Sequence, residues 1–404
     1  MYYNQNDSKL QIFYKKLLHY TDWTFLLSWI VMTMWKNTIL MIWLFLILYG
    51  LWALFSVSIH ESFTLTLLRW EPSNYFYFFK QLRNIVVWLV VAFIVYKTSL
   101  SRIRSWRYII LIWVVIITAL LLTPLGIELN GARLWLEVPL VWTLQPWEFF
   151  KLGFVLLICD WLVRKKALLH WWTGFFSFLV VTWLSCAIFL VLKDNGTILI
   201  LGLTALILYR YLGGKKRFVV IMMILGLWFG ILIGTQVGYV KARFQAFLYP
   251  EADSSWRGIT YQIRNALASV WWWGLIGKWY GKWIQKFGYI PEAQSDYIFA
   301  AFSEEVWFVW NILLITLYLR LAVYVLTHLK IIRDDYLRGV GMGILSLIMI
   351  QAFINIWVNI NIIPSTWLTL PFVSFGGTAI MVNMIELILL HKIITEGKEL
   401  KRLY

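Results

Sequence analysis

Four polar runs interrupt an otherwise apolar chain, and each carries residues able to do chemistry. The first is Gly131-Ala132-Arg133-Leu134-Trp135, followed by Gln145-Pro146-Trp147-Glu148-Phe149-Phe150-Lys151. Glu148 and Lys151 stand three apart where Pro146 opens a helix, so they can face one another. Two readings are open. One is a surface ion pair at a helix entry; the other is a buried pair lining a polar cavity, since ionisable groups inside a span are costly and usually functional. The second run, Lys193-Asp194-Asn195-Gly196-Thr197, reads on its chemistry alone as a tight solvated turn. The third is Tyr289-Ile290-Pro291-Glu292-Ala293-Gln294-Ser295-Asp296-Tyr297-Ile298-Phe299-Ala300, with Glu304-Glu305 after it. Asp296 sits where a helix should begin, so it is either an N-cap or a general base held among basic groups. In the second case nearby cations favour its ionised form. The fourth run spans Pro364 to Thr378 and includes Pro371-Phe372-Val373-Ser374-Phe375-Gly376-Gly377. Its two prolines and glycine pair mark irregular backbone, either a simple kink or a cavity wall.

Several chemistries are missing. The chain has no P-loop, no HExxH, no Gly-x-Ser-x-Gly and no dinucleotide fingerprint, which argues against an ATP-driven pump and the common hydrolases. His19, His60, His170, His328 and His391 are scattered. Cys159 and Cys186 both fall in apolar runs, so neither a disulfide framework nor a zinc site is expected.

The elements that must position these runs are membrane helices. Hydrophobic residues make up 61% of the 404 and charged residues only 14%, and the mean hydropathy is +0.73. That excludes a soluble enzyme and a disordered chain. Ten spans are expected, at about 38–58, 83–96, 108–124, 149–163, 171–192, 198–212, 218–237, 299–327, 340–362 and 371–393. Residues 22–35 form an interfacial helix or a partial span. The resulting fold class is an all-α polytopic membrane protein with both termini cytoplasmic. It divides into an N-terminal segment 1–37, a membrane domain 38–395 and a tail 396–404. The segments assigned to the inner side carry 22 Lys and Arg, against 4 in the short outer connections, as the positive-inside rule requires. The net charge of +16 therefore orients the chain and meets anionic lipid; nucleic acid is not an expected partner. One outer loop, 238–298, carries Arg243 and six further Lys or Arg. Its length and aromatic content predict a structured, functional segment on the outer face.

Taken together, these runs resemble the SEDS family of bacterial cell-envelope proteins, which includes FtsW, RodA and SpoVE. The matching residues are Gly131-Ala132-Arg133 with Trp135, Gln145-Pro146 with Glu148 and Lys151, and Asp194 with Gly196-Thr197. Tyr249-Pro250-Glu251-Ala252-Asp253, the Pro291–Ala300 run with Glu304-Glu305, and Pro371–Gly377 complete the set, over about residues 38–395. Gln285-Lys286-Phe287-Gly288-Tyr289 looks more like the division member than the elongation member.

The resemblance implies a peptidoglycan glycosyltransferase in the bacterial cytoplasmic membrane. It would polymerise lipid II at the outer face beside a class B penicillin-binding protein and other division or elongation proteins. Asp296 matches the family's catalytic aspartate. Arg133, Glu148, Lys151, Asp194, Arg243, Glu304, Ser374, Gly376 and Gly377 fall on the runs that would hold substrate. A divalent metal, magnesium or manganese, is implied too, although the sequence shows no dedicated cage for one. Tryptophans stand where the family has glycines: Trp271-Trp272-Trp273, Trp279, Trp307, Trp310, Trp357 and Trp367. Such large side chains should force helices apart or fill a groove. A lipid II transporter and an inactive scaffold are the alternative functions. Few charges lie in the middle of the spans, which disfavours transport.

Overall fold

The computed structural model describes residues 38–67, 72–129, 132–138, 142–251, 258–271, 290–306 and 308–402. The expected segment 1–37, the Trp272–Trp273 and Trp279 positions, Trp307 and the Gln285–Tyr289 stretch lie outside these residues. Helices occupy all ten expected span positions. They are α1 (Thr38–Val57), α3 (Phe76–Lys97), α4 (Leu100–Ala119), α5 (Pro146–Arg164), α6 (Trp172–Val191), α7 (Asn195–Tyr211), α8 (Lys216–Gln236), α12 (Phe308–Leu329), α13 (Asp335–Asn359) and α14 (Gly377–Arg402). Seven of the described helices are long and apolar enough to cross a bilayer. α7 has 17 residues, and α5 carries Glu148, Lys151, Asp160 and Arg164.

Three helix starts show why the chain folds where it does. Pro146 occupies the first turn of α5, where its missing N–H costs nothing. Asp194 caps α7, accepting from Thr197 N at 3.0 Å, and Asp334 caps α13, accepting from Tyr336 N and Leu337 N at 2.8 and 3.0 Å. Burial then sorts the helices. Of the apolar windows in α13 and α14, 78% and 83% are buried, against 22% and 17% in α3 and α4. The first two form the centre of the bundle, and the second two present apolar faces to lipid. Close packing at the centre depends on Gly343: a Cβ there would lie 2.5 Å from Val155 Cγ1 of α5.

The two ends differ in character. At the expected inner end, ion pairs tie the helices together: Arg104 to Asp334 at 2.9 Å, Arg107 to Asp160 at 3.0 Å and Lys166 to Asp335 at 2.5 Å. At the other end the connections are built up. The helix α2 (Ile59–Leu67) follows α1, and β1 (Gly126–Leu129), β2 (Ala132–Val138) and β3 (Trp142–Leu144) make a small antiparallel sheet between α4 and α5. The all-α expectation did not include this sheet. The described residues of the long loop contain α9 (Gly238–Leu248) and α10 (Ile259–Trp271).

One expected span requires correction. Residues 299–327 are not a continuous helix. A short α11 (Ile298–Ser303) ends at Glu304, and α12 starts only at Phe308. Glu304 and Glu305 are both buried at this break, and Ser56 of α1 donates to Glu305.

Candidate functional site

A cavity of about 1300 Å³ opens among the elements of the built-up end. Its walls come from the first turns of α3, from β2 and β3, from α9, from the turn at 292–297 and from the irregular segment before α14. Asp296, Arg243, Gly376 and Gly377 line it directly, with Glu292, Lys80, Arg83 and Trp367. Two helix N-termini border the space, since Gln145 precedes α5 and Gly377 starts α14. Their dipoles and the cations favour an anion.

Asp296 does not cap a helix. α11 starts at Ile298 after Tyr297, with no side-chain cap bond, so the N-cap alternative fails. Asp296 stands instead on a turn in which its own N–H donates to Glu292 O at 3.2 Å. The backbone around it is clamped from three sides. Asn355 Nδ2 and Asn359 Nδ2 of α13 both donate to Asp296 O at 2.9 Å. Ser374 Oγ donates to Ser295 O at 2.5 Å, and Phe375 N donates to Gln294 O at 2.9 Å. Asn359 Oδ1 also accepts from Ala300 N at 2.9 Å. Ser374 therefore stands behind the aspartate and fixes its chain.

The charge state of Asp296 overturns the expectation of a simple ionised carboxylate. Burial first, and the neighbouring Glu292 charge second, push it up to about 7, against the opposing pull of Arg243 and a hydrogen bond from Ser295. Arg243 is the cation that reaches it, and one guanidinium does not offset burial and a like charge. Glu61 of α2 is raised to about 7 by the same two causes. The Glu292 charge thus acts on both carboxyls in the same direction as burial.

Beneath the wall residue Trp147 lies the Glu148–Lys151 pair. It is not a surface pair: Lys151 Nζ is 2.8 Å from Glu148 Oε2, and the side chains are 2% and 0% exposed. Lys151 also donates to Gln351 Oε1 at 2.6 Å and lies 4.7 Å from the Trp147 ring centroid. Asp194, expected in a solvated turn, is buried as well. Gly196, the second residue of α7, lets the Pro364–Leu370 segment approach: a Cβ there would stand 2.9 Å from Thr366 O. Burial raises the Asp194 carboxyl, while its bonds to Thr197 and the charges of Lys151 and Arg243 hold it down. The fourth run is a cavity wall and not a simple kink.

Six of the ten expected site residues do not line the cavity: Glu148, Lys151, Asp194 and Ser374 are buried outside its lining, and Arg133 and Glu304 are placed elsewhere. Arg133 is exposed and pairs with Glu128 across the sheet at 3.1 Å; Leu134 and Trp135 line the wall in its place. Glu304 is buried at the α11–α12 break. Sequence reasoning missed Gln351, Asn355 and Asn359, three carboxamides at four-residue spacing on one face of an apolar helix. That spacing was the available signal. Among the described residues no three His, Cys, Asp or Glu side chains converge as a cation cage.

The fold and the cavity define a polytopic membrane protein that offers a carboxylate and an arginine to an anionic substrate at one membrane face. Comparison with known proteins makes this specific. The family model described as "Cell cycle protein" (FtsW/RodA/SpoVE) matches residues 36–399. The chain belongs to that family, the SEDS family of the resemblance above. It is 29% identical over 344 residues to a probable peptidoglycan glycosyltransferase FtsW of Nitrosomonas europaea, covering 82% of this chain and 86% of that one. It is 30% identical over 312 residues to stage V sporulation protein E of Bacillus subtilis, covering 76% and 84%. Among solved structures, the rod shape determining protein RodA of Thermus thermophilus superposes with a TM-score of 0.63 at 19% identity, covering 89% and 96%. A chain from a structure described as a peptidoglycan synthase complex superposes with a TM-score of 0.71 at 19% identity, covering 89% and 97%.

Proposed function

We propose that this protein is a peptidoglycan glycosyltransferase that polymerises lipid II at the outer face of the cytoplasmic membrane, with Asp296 as general base. The observation that carries the reading is a carboxyl raised to about 7, standing with Arg243 in a cavity of about 1300 Å³ at the expected outer end. A base poised near the working pH combines a useful ionised fraction with affinity for the proton. In the reaction, Asp296 takes the proton of the acceptor sugar's 4-hydroxyl. That oxygen bonds to the anomeric carbon of the donor, and the bond from that carbon to undecaprenyl diphosphate breaks. Negative charge grows on the departing diphosphate, and Arg243, Lys80, Arg83 and the N-termini of α5 and α14 are placed to meet it. The described residues bring no three His, Cys, Asp or Glu side chains together to hold a divalent ion by themselves.

A class B penicillin-binding protein as partner belongs to this proposal. It draws support from the likeness to a chain of a peptidoglycan synthase complex. The test is polymerisation of purified lipid II by the protein with its partner. Asp296→Ala is expected to abolish product, and undiminished product would remove the proposed base.

A further inference from the structure

Two residues of the cavity wall, Glu292 and Trp367, have a left-handed φ, and the reaction above does not use the side chain of Trp367. Trp367 has a φ of 54°, in the left-handed region that favours glycine and is costly for a bulky residue. The strand of chain around it is firmly held. Asn355 Nδ2 donates to Leu368 O at 2.6 Å, and Gln351 Nε2 donates to Thr369 O at 3.0 Å.

The indole lies against Arg243. The guanidinium carbon is 3.9 Å from the ring centroid, and Arg243 Nη1 donates to Ser365 O at 3.1 Å, two residues before Trp367. Both side chains line the cavity with Asp296, and Arg243 is 8% exposed. A guanidinium stacked on an indole and bonded along one edge has its plane fixed, which an arginine on a flexible stem otherwise lacks. Lys80 also lines the cavity, with its Nζ 5.6 Å from the Phe76 and Phe375 ring centroids.

We propose that Trp367 is a positioning residue, which holds the Arg243 guanidinium in one orientation so that it meets the diphosphate of a polyprenyl-linked sugar beside Asp296. This rests on the glycosyltransferase reading of the cavity. The strained backbone separates it from simple packing. If the indole only packed, removing it would destabilise the fold. At a left-handed φ, Trp367→Gly relieves the backbone, so catalysis and stability are expected to move in opposite directions.

The test uses the full chain with its partner and five proteins: wild type, Trp367→Gly, Trp367→Phe, Arg243→Lys and the double variant Trp367→Gly/Arg243→Lys. Steady-state polymerisation of lipid II gives kcat and KM, and thermal melting with and without undecaprenyl diphosphate gives stability and binding. Trp367→Gly is expected to lose roughly tenfold in kcat/KM, the scale of a desolvated cation–π contact. Most of the loss should fall in kcat, because the leaving charge grows in the transition state. Its melting temperature should equal or exceed the wild type's. Trp367→Phe should recover most of the activity, and adding Trp367→Gly to Arg243→Lys should cost little more. Unchanged kcat/KM in Trp367→Gly would overturn the proposal, as would losses that add independently of Arg243 or a loss explained by a lower melting temperature. If the wild type made no polymer, the glycosyltransferase reading would fall. Thermal stabilisation by undecaprenyl diphosphate would then decide the role of Trp367: a smaller shift in Trp367→Gly supports it, and an equal shift refutes it.

Discussion

Replacing Glu292 with Gln is expected to change the pH at which polymerisation switches on. Asp296 serves as a base only when ionised, and its carboxyl stands at about 7, against an ordinary value of 3.8. The wild-type rate should therefore climb through pH 7 and level off above it. Two causes push the carboxyl up, burial and Glu292, with burial the larger. Glu292 thus supplies less than half of the upward push, and removing its charge should lower the midpoint by about one pH unit, or about 1.4 kcal/mol. At pH 6 the ionised fraction would rise from about 10% to about 50%, a rate gain of about fivefold, while at pH 8 the two proteins should be nearly equal. The assay is the initial rate of glycan formation from lipid II between pH 5 and 8.5. Comparing wild type with Glu292→Gln cancels any titration of the substrate itself. A midpoint that does not move in the variant, or a wild-type rate flat from pH 5 to 8, would refute the reasoning.

Three further outcomes follow from the same geometry. Because the folded protein raises the Asp296 carboxyl, the stability that carboxyl contributes is fully present below about pH 4 and is lost as pH rises through about 7. The full shift corresponds to about 4 kcal/mol, and solvent in the cavity reduces it to about 1–2 kcal/mol. Asp296→Asn should accordingly melt a few degrees above the wild type at pH 8 and level with it near pH 4, as read by thermal unfolding in detergent. Lys151→Met strands the buried Glu148 charge and should cost about 3–5 kcal/mol, while Glu148→Gln/Lys151→Met should recover much of that in chemical denaturation. Asn359→Ala leaves the Ala300 N–H without its side-chain acceptor and removes one of the two amide bonds to Asp296 O. It should cost about 1–3 kcal/mol and slow polymerisation more than it weakens substrate binding, measured as kcat against KM.

Helix positions were legible because a bilayer demands about 20 apolar residues per span. The sheet at 126–144 was not legible. Its strands are 4, 7 and 3 residues long, too short for alternation to stand out beside membrane helices. The break after Ser303 escaped for another reason. Two acidic residues in an apolar run can be carried by a helix, and the Ser56 hydroxyl that donates to Glu305 lies more than two hundred residues earlier, beyond any local pattern. The bulk of Trp367 suggested a crowded groove, and its outcome depended on a cation in α9 lying within 3.9 Å. Trp310, similarly, packs edge-on to Trp52 with centroids 5.0 Å apart. The charge of Asp296 failed for a physical reason too: a sequence shows how many cations lie nearby, but not which one arrives or how much water leaves.

The carboxamides of α13 explain how a reactive aspartate is held on irregular chain. Gln351 accepts from Lys151 and donates to Thr369 O, Asn355 donates to Leu368 O and Asp296 O, and Asn359 donates to Asp296 O and accepts from Ala300 N. A single buried helix face therefore links the Glu148–Lys151 pair, the segment that carries Trp367 and the turn that carries Asp296. Amides suit this task better than charged groups. They satisfy backbone groups of both kinds without adding a charge that would pull the carboxyl of Asp296 away from neutral pH. A carboxylate at position 355 or 359 would lose the donor that Asp296 O needs, and its charge would push the Asp296 carboxyl further up. A lysine there would supply the donor and drive the carboxyl down toward its ordinary range. Holding the base in place and holding it near pH 7 are thus met together only by a neutral side chain with a donor on that face.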